Sequence, residues 1–148
     1  REKVKAGIDR DVSVGVLEWV DCNTPVSWCH RMVVVRKHNG EPRRTVDMQM
    51  LNKASIRQTH HTQSPFQQAT TIPHGTWKSV TDAWNGYHSA GIRDEDRHVT
   101  TFITPWGRLR YKTAQQGSLA SGDAFTHRLD MVTVGLANVK RVIDDSLN

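Results

Sequence analysis

Cysteine is scarce: Cys22 and Cys29, with six residues between them, are the only two in 148 residues. One pair cannot make a disulfide framework and is too few for a zinc ribbon, so the thiols are expected to be reduced and structural. Proline is sparse as well, five residues scattered along the chain. There is therefore no Pro-rich linker, and no repeat or low-complexity tract interrupts the sequence. One continuous fold is implied, of a length that suits a single domain. No apolar run approaches the roughly 20 residues of a membrane helix, so a soluble chain with no membrane partner is expected. The opening Arg1-Glu2-Lys3-Val4-Lys5 has no initiating Met, no apolar segment and no small-residue cleavage site. No secretory signal is therefore expected, and the chain is expected to start inside a longer protein. Eight histidines include the adjacent pair His60-His61. Neighbouring side chains rarely converge on one ion and no Cys lies close, so a His-based metal site is not expected.

What is present is positive charge. Lys and Arg exceed Asp and Glu by 20 to 15, a net charge of +5 and a pI near 9.6. Such a balance favours a polyanionic partner, with nucleic acid the natural candidate. Arg31, Arg36, Lys37, Arg43, Arg44, Lys53 and Arg57 fall in one early stretch, whereas Asp94, Glu95 and Asp96 sit together much later. The basic surface should be local.

The segment to about Asp11 is polar and weakly helical with Gly15 as its stop, and Val16 to Val20 reads as extended. Met32-Val33-Val34-Val35-Arg36-Lys37, the turn His38-Asn39-Gly40 and the return Arg43-Arg44-Thr45-Val46-Asp47 form a hairpin signal. From Ser55 to His74 the chain is loop-like with at most a short helix. Lys78 to Asp82 alternates as a strand, and a second hairpin is expected from His98–Ile103 through Pro105-Trp106-Gly107 to Leu109–Tyr111. A helix is expected to open at Ser121 as N-cap with Asp123 in its first turn. Phe125, Leu129, Val132 and Leu136 would give it an apolar face for packing on a sheet. Val139 to Ile143 closes as a strand. This order indicates an α+β fold with no strict βα alternation.

Three carboxylates lie at expected strand ends: Asp82, Asp144 and Asp145. In a continuing strand Asp144 and Asp145 would point to opposite faces, and a tight turn would let one face a metal while the other supports it. With Asp82 on the neighbouring strand the three would make a compact acidic site. Such a site can hold two Mg²⁺ ions roughly 3.5 to 4 Å apart for in-line phosphoryl transfer. Taken alone, Asp-Asp before Ser is simply a solvated turn.

The wider set of motifs alters that reading. Thr45-Val46-Asp47 precedes Leu51-Asn52-Lys53; Asp82 is followed by Asn85-Gly86-Tyr87-His88; then come Thr101-Phe102-Ile103-Thr104-Pro105-Trp106-Gly107, Gln116-Gly117, Asp123-Ala124-Phe125 and Ile143-Asp144-Asp145. In order and spacing, from about residue 15 to the end, this set resembles the reverse transcriptases of gypsy-like LTR retrotransposons and, more distantly, those of retroviruses.

The resemblance implies a right-hand polymerase fold, fingers plus palm, with an antiparallel sheet packed on helices and the chain ending just after the paired aspartates. About residues 1–75 would be mainly fingers and 76–148 mainly palm, with 98–118 returning to the fingers. The return strand of the aspartate hairpin, the thumb and RNase H would be missing. By match, Asp82, Asp144 and Asp145 are catalytic and bind two Mg²⁺ ions, with Mn²⁺ as a substitute, and Asp144 is the more direct ligand of the pair. Tyr87 takes the place of the steric gate, whose ring leaves no room for a 2′-hydroxyl. Arg43, with Arg36 across the hairpin, would hold the incoming triphosphate, since guanidinium forks suit phosphate oxygens. Gln116 and Gly117 match the loop that approaches nucleotide and template, and Lys53 and Arg57 would touch nucleic-acid backbone.

The partners implied are an RNA or DNA template with primer, deoxynucleoside triphosphates, and the remainder of a Pol polyprotein with thumb, RNase H and integrase. The compartment implied is intracellular, a cytoplasmic retroelement particle. The sequence departs from the family pattern at Val142, where an aromatic is usual, at Gln115 and Gly122, where Pro is common, and at Met48 and Gln49. The full-length protein is thus expected to be an RNA-directed DNA polymerase, and the isolated piece to be inactive. A non-catalytic nucleic-acid-binding relic is the alternative. A palm-fold nucleotide cyclase shares the chemistry but leaves the Arg pair and Tyr87 unexplained.

Overall fold

The computed structural model describes residues 1–56, 60, 63–83, 85–136, 139–142 and 145–147, with 141–142 and 145–147 described by their backbone alone. The chain is mixed α+β, built on a five-stranded mixed sheet with a smaller three-stranded sheet beside it.

Helix α1 (Glu2–Ser13) places Val4, Ile8 and Val12 on one stripe, and Ile8 is completely buried. Burial of that side chain alone contributes on the order of 2 kcal/mol. Gly15, at φ 78, ends the helix. Its amide bonds Val12 O at 3.1 Å and the next amide, Val16, bonds Asp11 O at 2.8 Å, closing a Schellman turn. Strands β1 (Leu17–Val20), β2 (His30–Arg36), β3 (Pro42–Val46), β5 (Phe102–Thr104) and β6 (Gly107–Tyr111) form the larger sheet in the order β1-β6-β5-β2-β3. All neighbours are antiparallel except β2 and β5, where His30 lies opposite Phe102. The core joins Ile8, Leu17, Val46, Met48, Leu51, Phe102 and Leu109, so α1 and α2 (Gln49–Ala54) share one hydrophobic centre with the sheet.

The β2–β3 hairpin turns at Asn39-Gly40 as the sequence indicates: Gly40 has φ 80 and its amide bonds Lys37 O at 2.9 Å. Among its described residues the 55–74 connector contains one short helix, α3 (Pro65–Thr70). Ser64 and Gln67 close a capping box at its start.

The three-stranded sheet runs β4-β8-β7, from β4 (Val80–Asp82), β7 (Lys140–Val142) and β8 (Asp145–Leu147). β8 is antiparallel to both neighbours. The return strand expected to be missing is therefore present in its first residues, starting at Asp145 and lying between β4 and β7.

Four further expectations are corrected. Residues Asp94–Thr100 form a 3-10 turn, and only Phe102–Thr104 is strand. Asp94 pairs with Arg97 at 2.5 Å, and the Thr100 and Thr101 hydroxyls each donate at 2.7 Å to the carbonyl three residues back, which favours the turn. Helix α4 (Leu119–Thr133) opens after Ser118, and Ser121 is buried within it. Its expected apolar face is only partly covered among the described residues: Phe125 is buried against the 3-10 turn Gly86–Ser89, whereas Met131, Val132 and Leu136 are exposed and Leu136 lies past the helix end. Cys22 and Cys29 are free and exposed, so they have no packing role.

Candidate functional site

Two strands carry acidic residues to one place. β4 and β8 pair with Val80 opposite Leu147, Thr81 opposite Ser146 and Asp82 opposite Asp145, so two of the three acidic positions share one rung of the small sheet. Asp145 is also opposite Val142 on β7. The Asp82 side chain is exposed at its strand end. Asp144 lies outside the described residues, as does the Asp145 side chain. Among the described residues no group of three or more His, Cys, Asp and Glu side chains is arranged to hold a metal ion. What is described fits Mg²⁺ in kind: hard carboxylate oxygens at the exposed end of a sheet.

A basic cleft of about 510 Å³ opens between α1, the β2–β3 hairpin, the Gly86–Ser89 turn and the loop before α4. Its walls include Lys37, Arg43, Arg44, Asn85, His88 and Gln116, with Lys3 and Arg10 contributed by α1. Several of these cations are already paired. Lys3 bonds Glu41 at 2.7 Å, and Arg44 is joined to Asp11, both partly buried. Among the described residues, Lys37 and Arg43 have no ion-pair partner, so their charge is available to a ligand.

The cleft takes cations from both faces of β3, since the neighbours Arg43 and Arg44 both line it. Arg43 lies opposite Val35, and Arg36 lies opposite Pro42. Side chains alternate along a strand and cross-strand partners share a face, so Arg43 falls in phase with Val35 and with Lys37 two residues on. Arg36 is not part of the cleft wall, although Pro42 opposite it and Arg44 in the same phase are. Lys37, which has no nucleotide role among the sequence expectations, joins the cleft wall just beyond the end of β2.

Tyr87 stands half-buried in the 3-10 turn, its ring 5.5 Å from that of Phe125 at an angle of 50°. The turn sits tight on α4: a Cβ on Gly86 would come within 2.4 Å of Phe125 Cζ. Gln116 is exposed on its loop and reaches the cleft, next to Gly117 at φ 93. Lys53 is exposed in the last turn of α2, and Arg57 lies outside the described residues. Behind the cleft, burial pushes the Tyr111 hydroxyl up to about 12; the Arg44 guanidinium pulls it back and Asp11 adds to the rise.

Two residues without an assigned role organise the loop. His88 Nδ1 donates to Ala114 O at 2.9 Å, and Asn52 bonds both Gly117 O and Leu119 N. The Leu51-Asn52-Lys53 motif marked Asn52, yet its partners are too distant in sequence to be read from spacing.

No family model matches the chain. Among solved structures, the native prototype foamy virus protease-reverse transcriptase superposes with a TM-score of 0.88 at 22% identity, over 99% of this chain and 19% of that one. The foamy viral protease-reverse transcriptase in complex with RNA/DNA hybrid gives 0.86 at 20% identity, over 99% and 19%. The same protein in complex with dsDNA gives 0.88 at 20% identity, over 99% and 30%. The chain thus spans between a fifth and a third of the proteins it resembles, and what it shares with them is the fold of one part of a reverse transcriptase.

Proposed function

We propose that this chain is the fingers, about residues 1–75 with 98–118, and part of the palm, the rest of 76–148, of an RNA-directed DNA polymerase from a gypsy-like LTR retrotransposon. The observation that carries the proposal is the rung that sets Asp82 opposite Asp145, in a chain whose basic cleft offers unpaired Lys37 and Arg43. The fold likeness to reverse transcriptases solved with RNA/DNA hybrid and with dsDNA supports it.

In this reading Arg43 and Lys37 grip the triphosphate of an incoming deoxynucleotide through charge-assisted hydrogen bonds. Arg36 adds positive field from the rim of the hairpin. Tyr87, backed by Phe125, bars the 2′-hydroxyl of a ribonucleotide. Gln116 and Gly117 present the loop to the nucleotide and template, and Lys53 and Arg57 contact the nucleic-acid backbone. Asp82, Asp144 and Asp145 would hold two Mg²⁺ ions. When bound, these supply the Lewis acidity that activates the primer 3′-hydroxyl and steadies the pyrophosphate leaving group. The carboxylates' own task is to present hard oxygen donors at adjoining strand ends. Thumb, RNase H and integrase would follow in the Pol polyprotein, in an intracellular, cytoplasmic particle.

The test is primer extension by the full natural reading frame on an RNA template, wild type against Asp144→Asn. Synthesis by the wild type and its loss by about 10³-fold or more in the variant are expected for removal of a metal ligand from a charge-stabilising site. Undiminished synthesis by Asp144→Asn would refute the assignment. The 148-residue chain alone is expected to be inactive.

A further inference from the structure

The loop from Ala114 to Leu119 is fastened at both ends, and the two fastenings come from different parts of the chain. At its start, His88 Nδ1 donates to Ala114 O at 2.9 Å and the Ala114 amide bonds Ala90 O at 2.7 Å. At its end, one side chain makes both bonds. Asn52 Nδ2 donates to Gly117 O at 2.8 Å, while Asn52 Oδ1 accepts from the Leu119 amide at 3.0 Å. Only a carboxamide offers a donor and an acceptor side by side at this reach. Leu119 is the first residue of α4, and Ser118 makes no side-chain cap. Asn52 therefore satisfies an otherwise orphaned helix amide from 67 residues away.

The post that holds Asn52 is rigid. α2 starts where the Asp47 carboxylate accepts the Gln49 amide at 3.0 Å, and it is pinned to the core by Met48 and Leu51. Gly117 lies close to the end of β3: a Cβ there would stand 3.7 Å from Val46 O. β3 is also the strand that carries Arg43, three residues before Val46. Arg43 and Gln116, which reach the same cleft from two segments, are thus spaced by one stiff unit of β3, α2 and the Asn52 bridge.

We propose that Asn52 is a positioning residue for nucleotide binding, fixing Gln116 at its working distance from Arg43 through two hydrogen bonds to the loop. The inference rests on the polymerase reading given above. Loss of the bridge frees the loop, so a nucleotide must order it on binding. Affinity falls, while bound nucleotide still reacts at nearly the wild-type rate.

The test uses the full-length protein with Asn52→Ala and Asn52→Asp. Asn52→Ala is expected to raise the deoxynucleotide KM about tenfold, the loss of two modest hydrogen bonds, with kcat within about twofold. Asn52→Asp keeps the acceptor for Leu119 and loses the donor to Gly117, so its KM should fall between the two. Hydrogen exchange in a peptide spanning 114–119 should quicken in Asn52→Ala. A purely structural residue would lower the active fraction and hence the apparent kcat, with KM and loop exchange unmoved; that outcome overturns the inference and leaves the polymerase reading intact. Faster exchange with unchanged KM overturns it too. A wild-type protein that extends no primer removes the polymerase reading and this inference with it.

Discussion

The same substitution at two glycines should have opposite effects, and the structure says why. At Gly86 an added Cβ would lie 2.4, 2.7 and 3.0 Å from three atoms of the Phe125 ring, against an ordinary contact limit of about 3.4 Å. The ring would have to retreat by about 3.4 − 2.4 = 1.0 Å. It has little room, because Phe125 is only 4% exposed and the Tyr87 ring lies 5.5 Å away. Overpacking of this kind costs about 1–3 kcal/mol, offset by the 0.4–1 kcal/mol gained when the unfolded chain loses glycine freedom. Gly86→Ala should therefore be destabilising by about 1–2 kcal/mol. Gly122, within α4, has nothing within 4 Å of its added Cβ and no positive φ. There Ala should stabilise by about 0.5–1 kcal/mol through helix propensity. The two variants should differ by roughly 4–8 °C in Tm for a domain of this size. Thermal unfolding of both beside the parent chain reads the difference directly. A Gly86→Ala protein as stable as the parent would refute the packing of the 86–89 turn on Phe125, and with it the backing assigned to Tyr87.

Three other outcomes follow from the cleft and its support. The Tyr111 hydroxyl, raised from 10 to about 12 in the fold, gives a stability contribution that is full below pH 10 and is lost as pH rises through 12. Two units correspond to about 2–3 kcal/mol, so denaturant unfolding should show a steep fall across that window that Tyr111→Phe abolishes. Arg44→Met strands Asp11, whose side chain is 17% exposed and whose other cation, Arg10, lies at 3.6 Å; a loss of about 1–2 kcal/mol by denaturant titration is expected. In the full-length enzyme, Lys37→Ala should raise nucleotide KM about tenfold or more and Arg36→Ala less than about twofold, measured by steady-state extension.

Local rules carried much of the fold. Gly15 as a helix stop and Asn39-Gly40 as a hairpin turn are backbone requirements, and the structure has both. Elements governed by distant partners were illegible. The Leu119 amide that opens α4 is capped by Asn52, a partner 67 residues away that no neighbouring residue signals, and Ser121 is buried inside the helix. The 94–100 turn was hidden because its β-branched threonines suit a strand until their hydroxyls bond back to the preceding turn. At the site, residue types pointed to phosphate chemistry. Which cations reach the cleft is a matter of tertiary packing: Lys37, Arg43 and Arg44 line it and Arg36 does not, a result that composition does not reveal.

The central claim is that Asp82 and Asp144 jointly hold divalent cations. Anomalous diffraction from crystals of the full-length protein grown with template-primer, incoming nucleotide and Mn²⁺ tests it most directly. Two peaks about 3.5–4 Å apart, each about 2.2 Å from an oxygen of Asp82 or Asp144, are the result expected. Carboxylates of these residues standing more than about 10 Å apart, with no metal between them, would contradict it.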